Sequence, residues 1–294
     1  MLGGGCGMVA PMELCFDEIQ QAVRAALAED IGTGDVTTLA TVPDSATLCV
    51  EMVAREPLVL AGLAFAETAF RELAPALLLN PHKTDGQQCI RGEKLLRVQG
   101  SARAILTAER VALNFVQRLS GVATLTSQFA ALVSGTRAQI LDTRKTTPGW
   151  RRFEKYAVQC GGGRNHRVGL FDLVLIKDNH LAALREAQPS AIAAAVQRAR
   201  AAYPALQIEV EADTLEQVRQ AAAAGADIIL LDNMTLAQLS EAVRLVGGQA
   251  KTEASGGVNL QTVRAIAETG VDFISVGAIT HSARAVDIAL DFTN

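Results

Sequence analysis

The 294-residue chain is poor in aromatic residues, which make up only 4% of the sequence. Stacking on aromatic side chains is therefore a weak explanation for any binding of single-stranded nucleic acid. The chain also has no excess of basic charge, because it contains 27 Lys and Arg residues and 31 Asp and Glu residues, which gives a net charge of −4. Nucleic-acid-binding proteins are usually basic, so neither feature favours that class.

The sequence also lacks the patterns typical of a membrane-spanning helix, a signal peptide and a cysteine-rich metal site. No uncharged apolar run approaches the roughly 18 residues that a membrane-spanning helix needs. Residues 1–12 have neither the basic nor the apolar region of a signal peptide, so we expect a flexible leader there. The five cysteines are widely spaced and contain no CxxC pair. We therefore expect reduced cysteines, no zinc centre and a cytoplasmic location.

What the chain does have is enough apolar sequence for a sizeable core. Hydrophobic residues make up 49% and charged residues 20%, which is typical of globular proteins. The length predicts roughly two domains. In the first part, a helical pattern over residues 13–29 and strand-like stretches over 47–60 and 94–105 predict a small α+β domain that ends near residue 108.

The second half of the chain repeats a strand followed by a helix. Its clearest strands end at Glu211, Asp232, Ser255 and Gly277, at intervals of 21 to 23 residues. Helices are predicted between them over residues 215–224, 236–246 and 260–268, with Thr214, Thr235 and Asn259 as N-cap residues. A βα unit repeated in one register is typical of a parallel sheet with helical crossovers. We predict an α/β barrel of seven or eight strands, with a doubly wound open sheet as the alternative. No GxGxxG follows a predicted strand, so the dinucleotide-binding form of that alternative lacks its motif.

In α/β barrels the active site lies at the carboxyl ends of the strands. Residues 142–167, just after a predicted strand, contain seven Arg or Lys residues and one His. Arg binds carboxylates and phosphates through two parallel hydrogen bonds, whereas Lys supplies a compact charge. The segment therefore predicts a pocket for a polyanion, with a solvated basic loop as the alternative. Lys177 follows at the next strand end.

Two carboxylates are predicted at the same mouth. Glu211 and Asp232 could hold Mg²⁺ that also bridges phosphate oxygens, or stabilise a developing cation, or simply pair with a neighbouring base. Glu209 shares the face of Glu211 but lies deeper, and we leave it out of the site. Gly256, Gly257 and Gly277 follow the last two predicted strands, where barrels often bind a phosphate.

Several segments carry a family resemblance that covers nearly the whole chain, from the turn near residue 30 to about residue 292. The segments are ERVALNF (109–115), DTRKTTPG (142–149), EKY (154–156), NHR (165–167), IKDNH (176–180), LDN (231–233) and EASGG (253–257). In this order they resemble quinolinate phosphoribosyltransferases. The resemblance implies an N-terminal α/β sandwich domain (13–110) and an open seven-stranded α/β barrel (111–279). The tail 280–294 could pack with the first domain.

The resemblance also implies a reaction. Quinolinate and phosphoribosyl pyrophosphate would give nicotinate mononucleotide, CO₂ and pyrophosphate, with Mg²⁺, in a homodimer or larger assembly. Once its nitrogen is ribosylated, the positive pyridine ring can stabilise the carbanion left by CO₂, so this step needs little acid–base machinery. Neither nucleic acid nor a membrane is an expected partner.

Site residues are implied by the matching segments. Arg144, His166, Arg167 and Lys177 would hold the quinolinate carboxylates, and Thr143 is a further substrate-binding residue. Lys145 would lie near the pyrophosphate or the reacting centre. Glu211 and Asp232 would serve the ribose and Mg²⁺ and stabilise positive charge at the anomeric carbon. The 5′-phosphate would lie on Ser255, Gly256, Gly257 and Gly277, and Arg110 would reach into the neighbouring subunit's site.

Three alternatives stay open. One is a relative with the same scaffold and a different acceptor, and another is a non-catalytic phosphometabolite-binding protein. The third is a flavin- or phosphate-binding barrel isomerase. Two residues depart from the family pattern, because Trp150 stands where a smaller apolar residue is expected and Arg164 where an uncharged one is usual.

Overall fold

The structure is a computed structural model that describes residues 12–188 and 190–293. The predicted leader lies outside these residues, except for Met12. That residue is buried, and its backbone N–H donates to Oε1 of Gln159 at 2.9 Å, so it belongs to the folded chain.

The first half of the chain mixes helices with short strands. Its elements are α1 (Phe16–Ile31), α2 (Val36–Thr41), β1 (Thr47–Ala54), β2 (Leu58–Val59), α3 (Leu63–Leu73), β3 (Leu78–Pro81), β4 (Gln88–Cys89), β5 (Lys94–Ser101) and α4 (Ala102–Leu132).

The second half alternates strands and helices. Its elements are β6 (Gln139–Leu141), α5 (Arg151–Cys160), β7 (Val174–Ile176), α6 (Asp178–Ala182), α7 (Ala191–Ala202), β8 (Ile208–Ala212), α8 (Leu215–Ala223), β9 (Ile228–Asp232), α9 (Leu236–Val246), β10 (Lys251–Ser255), α10 (Val263–Glu268), β11 (Phe273–Ser275), α11 (Ala278–His281) and β12 (Ile288–Phe292). Among the residues described, no helix is both long and apolar enough to cross a membrane.

The described chain divides into two compact units. The sandwich unit contains Met12–Ser127, Thr147–Gly162 and residues 282–293, and the barrel unit contains Gln128–Thr146 and Gly163–His281. The first border therefore lies between residues 127 and 128, not at the predicted 110/111. Both positions fall within α4, which continues without a break for 31 residues.

The sandwich unit is built on an antiparallel sheet with the strand order β12-β1-β5-β3. In it the C-terminal strand pairs with β1, from Val50 opposite Phe292 to Ala54 opposite Ile288. The apolar spacing of α1 buries Ile19, Val23 and Leu27, as a helical period requires.

One segment of the second half, Thr147–Gly162, belongs to the sandwich unit. Its Trp150 stacks on Phe115 with ring centroids 4.9 Å apart, and Phe153 packs edge-on against Phe65 at 5.0 Å. The side chain of Arg118 donates to Glu154 at 2.7 Å. Aromatic stacking therefore accounts for the large residue at position 150, where the family pattern predicts a smaller one.

The barrel unit contains six parallel strands in the order β6-β11-β10-β9-β8-β7. β6 and β7 are the two edges, so the sheet is open, which confirms the predicted α/β class. The seventh strand is reduced to a single parallel bridge between Arg164 and Leu141. It ends there because Asp142 takes the next donors, accepting from Asn165 Nδ2 at 2.6 Å and from the His166 N–H at 2.8 Å.

The helices between these strands start where the sequence predicts them, with one exception. The hydroxyls of Thr214 and Thr235 accept hydrogen bonds from the N–H groups of Gln217 and Gln238 and cap α8 and α9. The next helix was expected from residue 260 but begins at Val263. Asn259 forms a turn instead, because its Oδ1 accepts from the N–H groups of Gln261 and Thr262.

Candidate active site

A cavity of about 760 Å³ opens in the barrel unit at the carboxyl ends of the strands. Twelve of the thirteen predicted site residues line it, and these are Thr143, Arg144, Lys145, His166, Arg167, Lys177, Glu211, Asp232, Ser255, Gly256, Gly257 and Gly277. The thirteenth, Arg110, is exposed on α4 in the sandwich unit, and its role stays a prediction. The parallel register explains the convergence, because the strands end at one edge of the sheet.

The mouth of the cavity carries a carboxylate cluster. Glu211, Asp213 and Asp232 each offer an oxygen, and these atoms lie within 4.8 Å of one another. Asn233 donates from Nδ2 to Asp232 at 2.7 Å and so orients that carboxylate. Lys177 Nζ donates to Oε2 of Glu211. Carboxylate oxygens at this spacing are suitable ligands for Mg²⁺. Sequence reasoning missed Asp213, although it lies two residues beyond Glu211.

Beside the cluster, a glycine turn follows β10. Gly256 and Gly257 have φ of +97° and +61°, a region that side-chain-bearing residues rarely adopt. A Cβ on Gly256 would collide with the side chain of Asn233. At the end of β11, a Cβ on Gly277 would lie only 3.1 Å from Cδ of Lys145. Glycine is therefore required at both positions, because the side chains of Asn233 and Lys145 pack close to the backbone there.

The loop after β6 places its cations by short local hydrogen bonds. The N–H of Lys145 donates to Oγ1 of Thr143 at 3.1 Å, and the hydroxyl of Thr280 donates to the Lys145 carbonyl at 2.7 Å. The Nε atom of Arg144 is buried and has no hydrogen-bond partner within the described parts of the chain. It therefore retains a donor for an anionic ligand.

Arg167 adds a second guanidinium group to the cavity wall, and the residue is 8% exposed. Its Nη1 donates to the Leu173 carbonyl at 3.3 Å. Burial, followed by the positive charge of Arg144, lowers the pKa of Arg167. Two neighbouring guanidinium groups at a partly dry wall favour an anion that neutralises them.

At the floor of the cavity lies a cluster that sequence reasoning did not identify. His166, Glu209 and Glu253 are all buried, with Nε2 of His166 2.9 Å from Oε2 of Glu209 and 3.7 Å from Oε2 of Glu253. The hydroxyl of Ser275 donates to Oε1 of Glu253 at 2.6 Å. Glu209 is on the same strand face as Glu211, which is the signal that could have placed it. We call these four residues the floor cluster.

These features are typical of α/β-barrel enzymes that bind anionic, phosphorylated substrates at the carboxyl ends of their strands. Two family models specify the class further. The N-terminal domain of quinolinate phosphoribosyl transferase matches residues 35–120, and its C-terminal domain matches residues 122–291. The chain belongs to the quinolinate phosphoribosyl transferase family.

Named relatives and solved structures agree with this assignment. The chain is 45% identical to the nicotinate-nucleotide pyrophosphorylase [carboxylating] of Mycobacterium leprae, over 94% of this chain and 98% of the relative. It is 42% identical to a probable enzyme of the same name from Bacillus subtilis, over 94% of both chains. The nicotinate-nucleotide pyrophosphorylase structure from Francisella tularensis matches with a TM-score of 0.92 at 39% identity, covering 98% of this chain and 100% of that one.

Proposed function

We propose that this chain is a pentosyltransferase of NAD biosynthesis that acts on quinolinate. It transfers the phosphoribosyl group of phosphoribosyl pyrophosphate to quinolinate and releases CO₂ and pyrophosphate, leaving nicotinate mononucleotide. The observation that carries this proposal is the pair of guanidinium groups, Arg144 and Arg167, on the wall of one cavity at the strand ends. A dianionic acceptor supplies the charge that such a pair lacks.

The acceptor's carboxylates are bound by Arg144, Arg167 and Lys177, with the imidazole of His166 and the hydroxyl of Thr143 beside them. The buried Nε of Arg144 provides a donor for this purpose. Because the guanidinium forks match carboxylate geometry, they orient the ring as well as holding it. This orientation presents the pyridine nitrogen to the ribose.

The sugar end of the site is formed by Lys145, Glu211 and Asp232. Glycosyl transfer passes through a state with positive charge on the anomeric carbon, and a nearby carboxylate stabilises that charge. The carboxylates of Glu211, Asp213 and Asp232 lie close enough together to hold Mg²⁺. When bound, Mg²⁺ would neutralise charge on the pyrophosphate group. Lys145 provides a further positive charge for the same group.

The 5′-phosphate is bound by Ser255, Gly256, Gly257 and Gly277. Two successive left-handed glycines turn the backbone at Gly256 and Gly257, and backbone N–H groups in such turns bind anions. At Gly277, where Cδ of Lys145 lies 3.1 Å from the position of a Cβ, the phosphate would meet that cationic side chain as well as the backbone.

A turnover assay tests the proposed function. The purified protein is incubated with phosphoribosyl pyrophosphate, Mg²⁺ and either quinolinate or nicotinate, and nicotinate mononucleotide, CO₂ and pyrophosphate are measured. We expect product from quinolinate only, because nicotinate lacks the second carboxylate. Product from another aromatic acid alone would favour a relative with a different acceptor, and binding without turnover would favour a non-catalytic protein.

Arg110 is proposed to complete the site of a neighbouring subunit in a homodimer or larger assembly. It is exposed on α4 and therefore accessible to a partner. Arg110→Ala and Lys145→Ala should each be nearly inactive. Mixing the two variants should restore about a quarter of the activity, because in a statistical mixture half of the dimers are hybrids and each hybrid has one intact site. No recovery after verified subunit exchange would contradict the shared site.

A cytoplasmic location is also part of the proposal, in line with the reduced cysteines that the sequence predicts. One plant relative, from Arabidopsis thaliana, is named as chloroplastic, so the location has to be tested for this chain. Fractionation of the source cells, followed by detection of the protein, provides that test.

A further inference from the structure

The floor cluster contains more buried acidic oxygens than donors. Glu209 and Glu253 are 0% and 1% exposed. Neither oxygen of Glu209, nor Oε2 of Glu253, has a well-aligned hydrogen-bond donor in the described parts of the chain. Ser275 supplies one hydroxyl, which goes to the other oxygen of Glu253. Buried carboxylates without donors are costly as anions, so the cluster calls for a proton or a cation.

Arg167 attracts Glu209 electrostatically, and the single imidazole of His166 cannot neutralise both carboxyl groups. The backbone N–H of Arg167 donates to its Nδ1 at 2.7 Å, so Nδ1 acts as an acceptor and carries no proton. The ring therefore carries a proton on Nε2, which faces Glu209 and Glu253. A protonated Nε2 cannot ligate a metal ion, so this geometry favours a proton over a metal at the cluster.

The additional proton belongs on Glu253. Burial is the main cause that raises the pKa of Glu253 to about 8, and the negative charges of Glu209 and Asp142 add to it. His166 and the Ser275 hydroxyl act in the opposite direction. At neutral pH the Glu253 carboxyl is thus a neutral acid that can donate a proton.

The Glu253 carboxyl lies between two cavities. It lines the substrate cavity, together with Arg144, His166 and Arg167. It also lines a second cavity of about 220 Å³ with His166, Arg167 and Gln207. Because Gln207 directly precedes β8, the second cavity lies at the amino end of that strand. A proton lost from Glu253 to the substrate side can therefore be replaced by water from the other side.

We propose that Glu253 is a catalytic acid, which protonates the ring carbon that loses CO₂. This inference rests on the proposed function. After ribosylation, the bond between C2 and its carboxylate breaks, CO₂ leaves and the electron pair stays on C2. The Glu253 carboxyl then transfers its proton to C2 and becomes a carboxylate. Water from the second cavity returns a proton to Glu253, so the net proton comes from solvent.

Single-turnover kinetics of Glu253→Gln test this role. Gln keeps the shape of the side chain but offers no acidic proton, so the C2 carbanion recombines with CO₂ before it is protonated. We expect pyrophosphate release within about threefold of the unmodified enzyme, but formation of CO₂ and nicotinate mononucleotide at least about tenfold slower. The ribosylated dicarboxylate should accumulate. Glu268→Gln, at an exposed position of α10, is the matched control and should change neither rate.

The pH profile of the unmodified enzyme provides a second readout that does not depend on a variant. The donating form of Glu253 is the protonated one, so formation of nicotinate mononucleotide should decline as pH rises through about 8. Pyrophosphate release in the first turnover should show no such decline. The decline should be absent from Glu253→Gln.

Three results would overturn the inference. One is an equal slowing of both steps in Glu253→Gln, which would indicate a structural role, and another is an unchanged rate of product formation. The third is a stoichiometric divalent ion in the purified enzyme that is lost in Glu209→Gln and Glu253→Gln. If instead the unmodified enzyme releases no pyrophosphate with quinolinate, the proposed function itself fails. Failure of the proposed function therefore shows in the unmodified enzyme, whereas failure of the role of Glu253 shows in the variants.

Discussion

The mouth and the floor of the substrate cavity use the same residue type in different ways. Glu211 and Glu209 lie two residues apart on one face of β8. At the mouth, the Glu211 side chain pairs with Lys177, which is 43% exposed. At the floor, Glu209 is fully buried and faces the imidazole of His166 and a second carboxyl group.

The difference shows how depth decides the chemistry of a carboxyl group. Near water, Lys177 and solvent stabilise the charge of Glu211, as the role that we propose for it towards a sugar cation or Mg²⁺ requires. Two residues deeper, burial and the charge of Glu209 raise the pKa of the neighbouring Glu253 and keep a proton on its carboxyl group. One strand thus provides an electrostatic group at the mouth and part of a proton site at the floor.

Removing the carboxylate at the mouth should have the largest effect. We expect Glu211→Ala to lower kcat by about 10²- to 10³-fold, because stabilisation of the developing sugar cation is lost. KM for quinolinate should change by less than about threefold. Steady-state kinetics measure both constants. Glu216→Ala, on the exposed side of α8, is the control. Equal losses in kcat and in quinolinate affinity would contradict a role in the transition state.

The glycine turn at the mouth should give an intermediate effect. In Gly256→Ala, the left-handed backbone and the collision with Asn233 should reduce stability by about 1–3 kcal/mol. KM for phosphoribosyl pyrophosphate should rise about tenfold, because the phosphate-binding backbone moves. Thermal unfolding and kinetics measure the two effects.

The control for that variant is Gly225→Ala. Gly225 also has positive φ, +78°, but nothing lies near its Cβ position. The Gly225→Ala variant should lose stability through backbone strain, without any change in KM for phosphoribosyl pyrophosphate. A similar KM in both variants would show that the turn at Gly256 does not bind the phosphate.

The smallest effect is expected at the floor. Because the negative charge of Glu209 raises the pKa of Glu253, Glu209→Gln should lower that pKa. The alkaline decline of nicotinate mononucleotide formation should then begin at a lower pH, by up to about one unit. A pH series of single-turnover rates measures the shift. A decline that moves to higher pH would show that the two carboxyl groups do not interact in this way.

Much of the barrel unit was predictable from local patterns. The spacing of strand ends and the capping residues Thr214 and Thr235 placed β8, β9, α8 and α9 nearly where they lie. The rule that parallel strands end at one edge was enough to bring Glu211, Asp232 and Ser255 together. These predictions worked because they depend on residues close together in the chain.

Other features depended on contacts that no local pattern reveals. The segment Thr147–Gly162 follows a barrel strand, yet it belongs to the sandwich unit because Trp150 stacks on Phe115. The seventh strand stops at one bridge because Asp142 captures the donors that follow it. In each case a side chain distant in sequence competes successfully with the local preference.

The amino-acid sequence by itself determined the class of fold, the family and which residues meet at the strand ends, because strand periodicity and contiguous motifs can be read along the chain. Only the tertiary structure decided the state of the floor cluster. His166, Glu209, Glu253 and Ser275 come from four separate segments, and their meaning depends on burial and on distances of about 3 Å. Desolvation is a property of the folded interior, so a protonated carboxyl group has no signature in the sequence.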